Sequence, residues 1–298
     1  MKHTNWKHTR YKLIRRWLFT LALVLVSVVL LRQTAGGKLH EIERLLQIIF
    51  LTVSVSLLLL AIFLTYHVYH GFGSQEGIFR RDPYERLVSI TFDDGPNPIY
   101  TPQILDILKG KGVKATFFVV GRQVEKYPDV ARRIVEEGHD IGNHTYSHRE
   151  LVPSTRRIVL NQVRKADRMI QKATGVKTRL FRPPRGMYSN AVRKILREEG
   201  YRIILWTVST ADWSGISSKA ILRRIKLYLR RGGIILFHDS GALLRNEGAS
   251  RENTVQALPM VIDYLQQKGF EIVPISEMLK MSQGLIEEAK ELELFEEV

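Results

Sequence analysis

Hydrophobic positions along the chain follow two patterns that change near residue 87. Before that point they form two long uncharged runs, Trp17 to Leu31 and Leu45 to Tyr66. The second run has 22 residues, enough to cross a hydrocarbon core of about 30 Å, and predicts a transmembrane helix. The first run is short for a span and is compatible with a second span, a signal-peptide core or an interfacial helix. Because no small-residue cleavage site follows it, we treat it as uncleaved.

From Leu87 onward, short apolar runs of strand type alternate with amphipathic helical segments. Runs such as IILWTV and GIILF are apolar at every position, which is typical of parallel strands that are covered on both faces. This alternation predicts an α/β fold of the barrel type. Strands are predicted at 87–92, 115–120, 140–143, 179–181, 202–208, 234–237 and 270–273. The first helix is expected to be capped by Thr101, and the later helices are predicted at 128–138, 154–175, 189–200, 218–231 and 254–268.

Polar residues recur at the carboxyl ends of these predicted strands. Each has an ordinary structural explanation: a solvated turn for adjacent aspartates, backbone hydrogen bonds for loop histidines, a surface ion pair for an arginine, a buried neutral ring for a histidine. Their common position favours function instead, because the loops after the strands of a parallel barrel form its active site. The residues concerned are Asp93, Asp94, His144, His148, Arg182, Asp212 and His238.

Two of these residues, His144 and His148, have a spacing that suits a metal site. Residues four apart on a helical turn share a face, so both imidazoles can reach one divalent ion. Three protein ligands with one open position are typical of a catalytic zinc-type site, and either Asp93 or Asp94 can supply the third ligand.

Five short motifs occur in the order found in the polysaccharide deacetylases. They are TFDDG at 91–95, HTYSH at 144–148, RPPRG at 182–186, TADW at 210–213 and ILFH at 235–238. Over residues 87–280 the chain therefore resembles the NodB-homology domain of carbohydrate esterase family 4. The resemblance implies a distorted (β/α) barrel and a metal-dependent enzyme that removes N-acetyl or O-acetyl groups from carbohydrate polymers.

The resemblance also implies which residues perform the chemistry. Asp93 is the expected catalytic base and His238 the expected catalytic acid. Asp94, His144 and His148 are the expected metal ligands. The expected metal is zinc, with cobalt, nickel and manganese as alternatives.

Further residues matched to the family motifs are expected to assist. Arg182 would orient the base and Asp212 would partner the acid. The predicted substrate-binding residues are Arg185, Trp213 and Leu236, of which the last two would form walls of the acetyl pocket.

The chain departs from the family pattern at two positions. Arg185 stands where the family usually has an aromatic residue, and Ser209 stands where its fourth motif begins with an acidic residue. A backbone N–H at position 185 can still face an oxyanion, whereas the changed side chain alters the cleft and hence the substrate preference. Neither change removes an expected metal ligand, the base or the acid.

Charge bears on the expected partners. The chain carries 45 Lys plus Arg against 30 Asp plus Glu, for a net charge of +15. Basic residues gather on the predicted helices 154–175 and 218–231, whereas 282–298 carries six Glu and one Lys. The basic faces are compatible with a solvated surface, or with anionic lipid headgroups or an anionic wall polymer. No nucleic-acid module or interleaved aromatic pattern is present, so no nucleic-acid partner is expected.

These patterns predict four regions: a membrane region at 1–66, a linker at 67–86, a deacetylase domain at 87–281 and an acidic tail at 282–298. Basic residues before Trp17 predict a cytoplasmic amino terminus. With one transmembrane span the domain would lie outside the cytoplasm, whereas with two spans it would lie in the cytoplasm. Because polymer substrates lie mostly outside, we predict a cell-membrane protein with an extracytoplasmic catalytic domain. The absence of cysteine excludes disulfides, and the oligomeric state is left open.

The predicted function is that of a membrane-anchored, metal-dependent deacetylase of a polymer such as peptidoglycan or a chitin-like glycan. Acetylated xylan and exopolysaccharide are other candidate polymers. One alternative is a metal-dependent hydrolase of another bond, such as a phosphoester. A pair of catalytic metals would favour that chemistry, whereas the sequence offers candidate ligands for one metal. Another is a non-catalytic carbohydrate-binding or membrane scaffold protein, which would not need His238.

Overall fold

The computed structural model describes residues 39–70, 77–82, 86–241 and 249–282 of the chain. The chain contains two compact units, residues 1–66 and 67–298. The predicted apolar segment Trp17 to Leu31 lies outside the described residues, as does the acidic tail beyond residue 282.

The first described element is a long apolar helix, α1 (Leu39–His70), of 32 residues. Its stretch Glu41–Leu60 is long and apolar enough to cross a membrane, and it is the one helix among the described residues with that property. None of this stretch is buried, so leucine, isoleucine and valine side chains are exposed along it. It overlaps the span predicted at 45–66.

The described residues of the second unit are built on a sheet of nine strands. The strands are β1 (Ile78–Phe79), β2 (Leu87–Asp93), β3 (Thr116–Val119), β4 (Asp140–Asn143), β5 (Leu180–Phe181), β6 (Arg202–Ile204), β7 (Val208–Ser209), β8 (Gly233–His238) and β9 (Glu271–Ile272). The helices around it are α2 (Tyr100–Gly110), α3 (Gly121–Lys126), α4 (Pro128–Glu136), α5 (Arg156–Thr174), α6 (Asn190–Glu198), α7 (Ser218–Tyr228) and α8 (Glu252–Gln267). The last described residues, 275–282, are also helical.

The strands pair in the order β1-β6-β5-β4-β3-β2-β8-β7, and β9 adds to β2. Every ladder between named strands is parallel. The carboxyl ends of the strands therefore lie at one edge, where Asp93 is in register with Phe118 on one neighbour and with His238 on the other. The predicted α/β barrel-type fold is confirmed.

The barrel is distorted between β6 and β7. Sequence predicts one strand over 202–208, but the chain forms two short strands separated by Leu205, Trp206 and Thr207. The first strand pairs with β5 and the second with β8, so this single run of chain joins the two sides of the curled sheet. One straight strand cannot pair with both β5 and β8, which explains why the unbroken apolar run is split into two strands.

Alternation along β2 separates its two faces. Val88, Ile90 and Phe92 belong to the main hydrophobic core, and Phe92 stacks on Phe117 with ring centroids 4.9 Å apart. Successive residues of a strand point to opposite faces, so Thr91 and Asp93 point to the inner face of the curled sheet. Strand period alone therefore directs the Asp93 carboxylate into the barrel.

The helix that follows β2 begins differently from the prediction. Thr101 lies inside the first turn of α2 and is fully buried, so it is not the cap. Instead, the side-chain oxygen of Asn97 accepts hydrogen bonds from the N–H groups of Ile99 and Tyr100, at 2.8 and 3.0 Å. The sequence pattern predicts neither β1, which lies in the predicted linker, nor the short helix α3.

Candidate active site

Asp93 and Arg182 form a buried ion pair inside the barrel. Arg182 follows β5 and is fully buried, and its Nη1 lies 2.7 Å from Asp93 Oδ1. The guanidinium also donates to Thr91 Oγ1 at 2.8 Å and to the Ile204 carbonyl at 3.1 Å. Burial lowers the pKa of Arg182, while the charge of Asp93 raises it. Arginine stays protonated in proteins, so the pair fixes Asp93 as an oriented carboxylate whose Oδ2 is not used by Arg182.

Asp94 follows Asp93 directly in the chain, but its side chain points in a different direction because its backbone is left-handed, with φ of 84°. Its Oδ1 lies 3.3 Å from His148 Nε2 and 3.6 Å from His144 Nε2. Burial opposes ionisation of Asp94, but the neighbouring His148 and His144 outweigh it, so the pKa of Asp94 is lowered. The two adjacent carboxylates thus face different partners.

The tautomer of His144 follows from its hydrogen bond. Its Nδ1 lies 2.7 Å from the backbone oxygen of Arg182, which can only accept, so Nδ1 carries the proton. Its Nε2 faces Asp93 Oδ2 at 3.7 Å and Asp94 Oδ1 at 3.6 Å. Burial lowers the pKa of His148 to about 4, so this ring is neutral at pH 7. Ring nitrogens of both histidines and carboxylate oxygens of Asp93 and Asp94 therefore face one another.

This donor set fits a divalent cation. One ligand atom from each of Asp94, His144 and His148 lies within 4.8 Å of the others, and within the described part of the chain no hydrogen-bond donor reaches the buried Asp94 Oδ1. Ligands about 2.0–2.1 Å from a tetrahedral ion are about 3.3 Å apart, close to the observed 3.3 and 3.6 Å. A cation would also relieve the repulsion among these electron-rich atoms. The two histidines are four residues apart in a loop, where His148 has φ of 55°, and not on the helical turn assumed from the sequence.

His238 and Asp212 form a second pair at the same edge of the sheet. Nδ1 of His238 lies 2.8 Å from Asp212 Oδ1, and the His238 backbone N–H donates to Asp212 Oδ2 at 2.8 Å. Burial opposes protonation of His238, but the Asp212 charge and hydrogen bond outweigh it and raise the pKa of His238 to about 9. The same pairing lowers the pKa of Asp212 despite its burial. His238 is therefore a protonated acid at neutral pH, with Nε2 free of Asp212.

Two residues of α8 that the sequence analysis did not select complete this pair. Thr254 is fully buried and donates from Oγ1 to Asp212 Oδ2 at 2.8 Å. Asn253 donates from its amide to the Asp212 carbonyl at 2.8 Å. The sequence contains no signal for these contacts beyond the start of a predicted helix, because they cross 41 and 42 residues of chain.

Asp239, which follows His238 directly, is not among the site residues predicted from the sequence. It is buried, and its Oδ2 accepts a hydrogen bond from Thr101 Oγ1 at 2.6 Å. Burial raises the pKa of Asp239 to about 7. Its position beside a candidate catalytic histidine at a strand end is the sequence feature that could have identified it as a site residue.

The three predicted substrate-binding residues lie in different environments. Leu236 is buried on β8 and points to the same face as His238, two residues later. Trp213 is 53% exposed beside Asp212, whose Oδ1 accepts its backbone N–H at 2.9 Å. Arg185 has a left-handed backbone with φ of 58°, and its Nε lies 2.8 Å from Glu150 Oε1. That ion pair joins the loop after β5 to the loop that carries His148.

Comparison with known proteins gives a consistent family. The sequence profile described as "Polysaccharide deacetylase" matches residues 80–204. A peptidoglycan-N-acetylglucosamine deacetylase of Bacillus cereus is 37% identical over 201 residues, covering 67% of this chain and 71% of that protein. A chitooligosaccharide deacetylase of Sinorhizobium fredii is 39% identical over 187 residues, covering 61% and 87%.

Solved structures agree with these matches. A peptidoglycan N-acetylglucosamine deacetylase crystallised with a hydroxamate-type benzamide has a TM-score of 0.64 and 35% identity, covering 68% of this chain and 92% of that one. A CE4 family pseudoenzyme from Bacillus anthracis has a TM-score of 0.62 and 33% identity, covering 68% of each chain. Because similarity extends to a pseudoenzyme, activity has to be argued from the site residues themselves.

Proposed function

The chain belongs to the polysaccharide deacetylase family, and from that premise we propose that it is a membrane-anchored, metal-dependent deacetylase of a carbohydrate polymer such as peptidoglycan or a chitin-like glycan. The observation that carries the proposal is that a candidate base, a candidate acid and a candidate metal site all lie at one edge of the sheet. Asp93 is held by Arg182, His238 is held by Asp212, and an electron-rich group of three donors lies beside Asp93.

The metal site would be formed by Asp94, His144 and His148, with zinc as the first candidate. A divalent cation bound there supplies positive charge that acidifies water and polarises an acyl carbonyl. The residues themselves fix the ligand geometry: His144 is oriented by the Arg182 carbonyl, and Asp94 by its left-handed backbone.

Asp93 is suited to act as the general base. Its Oδ1 is occupied by Arg182 at 2.7 Å, which leaves Oδ2 to accept a proton. As water adds to the acetyl carbonyl carbon, its proton passes to Asp93. The fixed guanidinium keeps the carboxylate oriented throughout, so little reorganisation is needed during the proton transfer.

His238 is suited to act as the general acid. Asp212 holds the proton-bearing ring through Nδ1, so Nε2 carries the transferable proton. When the carbon–nitrogen bond breaks, the leaving nitrogen takes this proton, and the products are a free amine and acetate. Without protonation the amine would be a poor leaving group, so the acid is needed for amide cleavage.

A non-catalytic binding protein on the same fold is the main competing function, since the similar Bacillus anthracis protein is described as a pseudoenzyme. A binder has no need of a buried pair that raises the pKa of His238 to about 9. Phosphoester hydrolysis by paired metals is less well supported, because one cluster of metal-binding type is found in the described part of the chain.

We assign α1 as the membrane anchor and place the catalytic domain outside the cytoplasm. The stretch Glu41–Leu60 supports the anchor by its length and apolar composition. The relatives named for peptidoglycan support the location, because that polymer lies outside the cell membrane. Acetylated polysaccharide and membrane lipid are then the two partners of the protein.

Acetate release tests the proposed activity. Full-length protein in detergent would be incubated with peptidoglycan, chitooligosaccharides and acetylated xylan, with and without a chelator, and with Zn²⁺ restored afterwards. We expect release from at least one N-acetylated polymer, loss with chelator and recovery with Zn²⁺. Binding to a polymer without any acetate release, by protein that carries its metal, would instead establish the binding function.

A further inference from the structure

Asp239 is a buried carboxylate at the active-site edge that no step of the proposed reaction uses. It is 1% exposed, its Oδ2 accepts from Thr101 Oγ1 at 2.6 Å, and no donor from the described residues reaches its Oδ1. Burying a carboxylate is costly unless its contacts repay the lost solvation. Its contacts therefore indicate what it does.

Asp239 contacts the turn that contains Asp94 from both sides of that residue. Its backbone N–H donates to the carbonyl of Asp93 at 3.2 Å. On the other side, a Cβ atom at position 95 would lie 2.1 Å from Asp239 Oδ2, so the backbone of Gly95 crosses directly over the carboxylate. Only glycine allows this approach, and the turn is thereby fixed against β8.

Thr101 extends this support to the far end of the turn. Its Oγ1 donates to Asp239 and accepts the backbone N–H of Asn97 at 2.8 Å. Its own N–H donates to the Asn97 carbonyl at 3.3 Å. Thr101 is fully buried, so water cannot replace these bonds. The turn from Asp94 to Asn97 is therefore held at both ends by Asp239 and Thr101.

Asp94 needs such support because its backbone is strained. A φ of 84° is uncommon for any residue other than glycine and persists only where surrounding contacts enforce it. A relaxed, extended Asp94 would no longer direct its carboxylate toward His148 and His144. The same left-handed step is what turns Asp94 away from Asp93.

We propose that Asp239 and Thr101 are positioning residues that hold Asp94 in the conformation from which it binds the metal. This inference rests on the proposed function for the identity of the metal ligands. It accounts for the separation of tasks between Asp93 and Asp94, and it gives Thr101 a role that a helix cap would not have.

The test measures the Zn²⁺ affinity of the full-length protein by competition with a chelator. Thr101→Val keeps the shape and removes the hydroxyl with both of its buried hydrogen bonds. Affinity should therefore fall by at least about three- to tenfold, the effect of losing one such bond. Thr101→Ser keeps the hydroxyl and should stay near wild type. Asp239→Ala should lose about 10- to 100-fold, the usual effect of removing a group that orients a metal ligand.

Asp82→Asn is the matched control. Asp82 is a fully buried carboxylate that accepts from Ser282 Oγ, and its backbone N–H bonds to Gly232, just before β8 begins. This substitution should lower the thermal stability of the metal-free protein and leave Zn²⁺ affinity unchanged. Wild-type Zn²⁺ affinity in Thr101→Val and Asp239→Ala, with stability losses like that of Asp82→Asn, would overturn the proposal.

The readout separates this inference from the proposed activity. If the wild-type protein binds Zn²⁺ but releases no acetate, the deacetylase function fails while the affinity series still decides the role of Asp239 and Thr101. If the wild-type protein binds no Zn²⁺, the ligand assignment is wrong and the positioning role is overturned with it. If Asp239→Ala does not fold, the difference in Zn²⁺ affinity between Thr101→Val and Thr101→Ser tests the positioning role.

Discussion

The backbone oxygen of Arg182 lies 2.7 Å from Nδ1 of His144. The side chain of the same arginine lies 2.7 Å from Asp93 Oδ1. One buried residue thus orients both the proposed base and a proposed metal ligand, through different atoms. A shift of the loop after β5 would disturb both, so the base and the metal site are coupled mechanically.

Replacing Asp93 by asparagine should separate proton transfer from metal binding. The amide oxygen can still accept from Arg182, and Asp94, His144 and His148 are unchanged, so the metal should be retained. Turnover should fall by about 10² to 10⁴, the usual contribution of a general base. Metal analysis and acetate release on the same preparation check this. Turnover near wild type would exclude Asp93 as the base.

Removing both imidazoles from the metal site should abolish metal binding. His144→Ala combined with His148→Ala leaves one of the three proposed ligands, which cannot hold zinc tightly. Elemental analysis should find about one equivalent in wild type and none in the double variant. The control is His139→Asn, which changes another buried histidine whose Nδ1 accepts from the Ala115 N–H at 3.1 Å, and should keep its metal. Stoichiometric metal in the double variant would refute the site.

The alkaline limit of activity should depend on Asp212. The pKa of His238 is raised to about 9, so the acid stays protonated at neutral pH and is lost as pH rises through that value. Asp212→Asn removes the stabilising charge, and the alkaline limb of kcat/KM should move down by about one pH unit or more. An unchanged limb would show that another group sets it.

The same pair makes stability depend on pH with a defined sign. A histidine whose folded pKa lies above its unfolded value contributes fully below about 6.5 and loses that contribution as pH rises through about 9. Denaturant unfolding of wild type should therefore show a decline over this window that Asp212→Asn lacks. The comparison serves as an activity-independent check on the previous prediction.

The orientation in the membrane can be tested with single cysteines, because the chain contains none. Lys219 is an exposed residue of α7 in the catalytic unit, and Lys2 lies in the basic amino-terminal stretch. With one span and a cytoplasmic amino terminus, Lys219→Cys should react with an impermeant maleimide in intact cells and Lys2→Cys should not. Protection of position 219 until the membrane is permeabilised would place the domain in the cytoplasm.

Local pattern was sufficient to predict much of the fold. Apolar runs without alternation, punctuated by glycine and by capping residues such as Ser189 and Gly175, indicated parallel strands joined by helices. The polar residues at strand ends were recognisable as candidates because parallel strands bring their carboxyl ends to one edge. Strand period also directs Asp93 inward, since it is two residues beyond Thr91 on the same face.

Contacts between distant segments could not be predicted in this way. The break between β6 and β7 depends on which strands flank the run, and the guanidinium of Arg182 binds the Ile204 carbonyl at that break. Thr101 looked like a cap because local sequence favours threonine before a proline-started helix. Its actual partner, Asp239, lies 138 residues away.

The sequence by itself therefore determined the parallel α/β architecture, the apolar anchor candidate and the set of residues available for chemistry, because these follow from periodicity, composition and short motifs. Tertiary structure alone decided how the two adjacent aspartates differ. Asp93 meets Arg182 across the barrel, and the left-handed backbone of Asp94 turns it toward His144 and His148. That division depends on backbone conformation and on contacts across the barrel, neither of which is encoded in local sequence spacing.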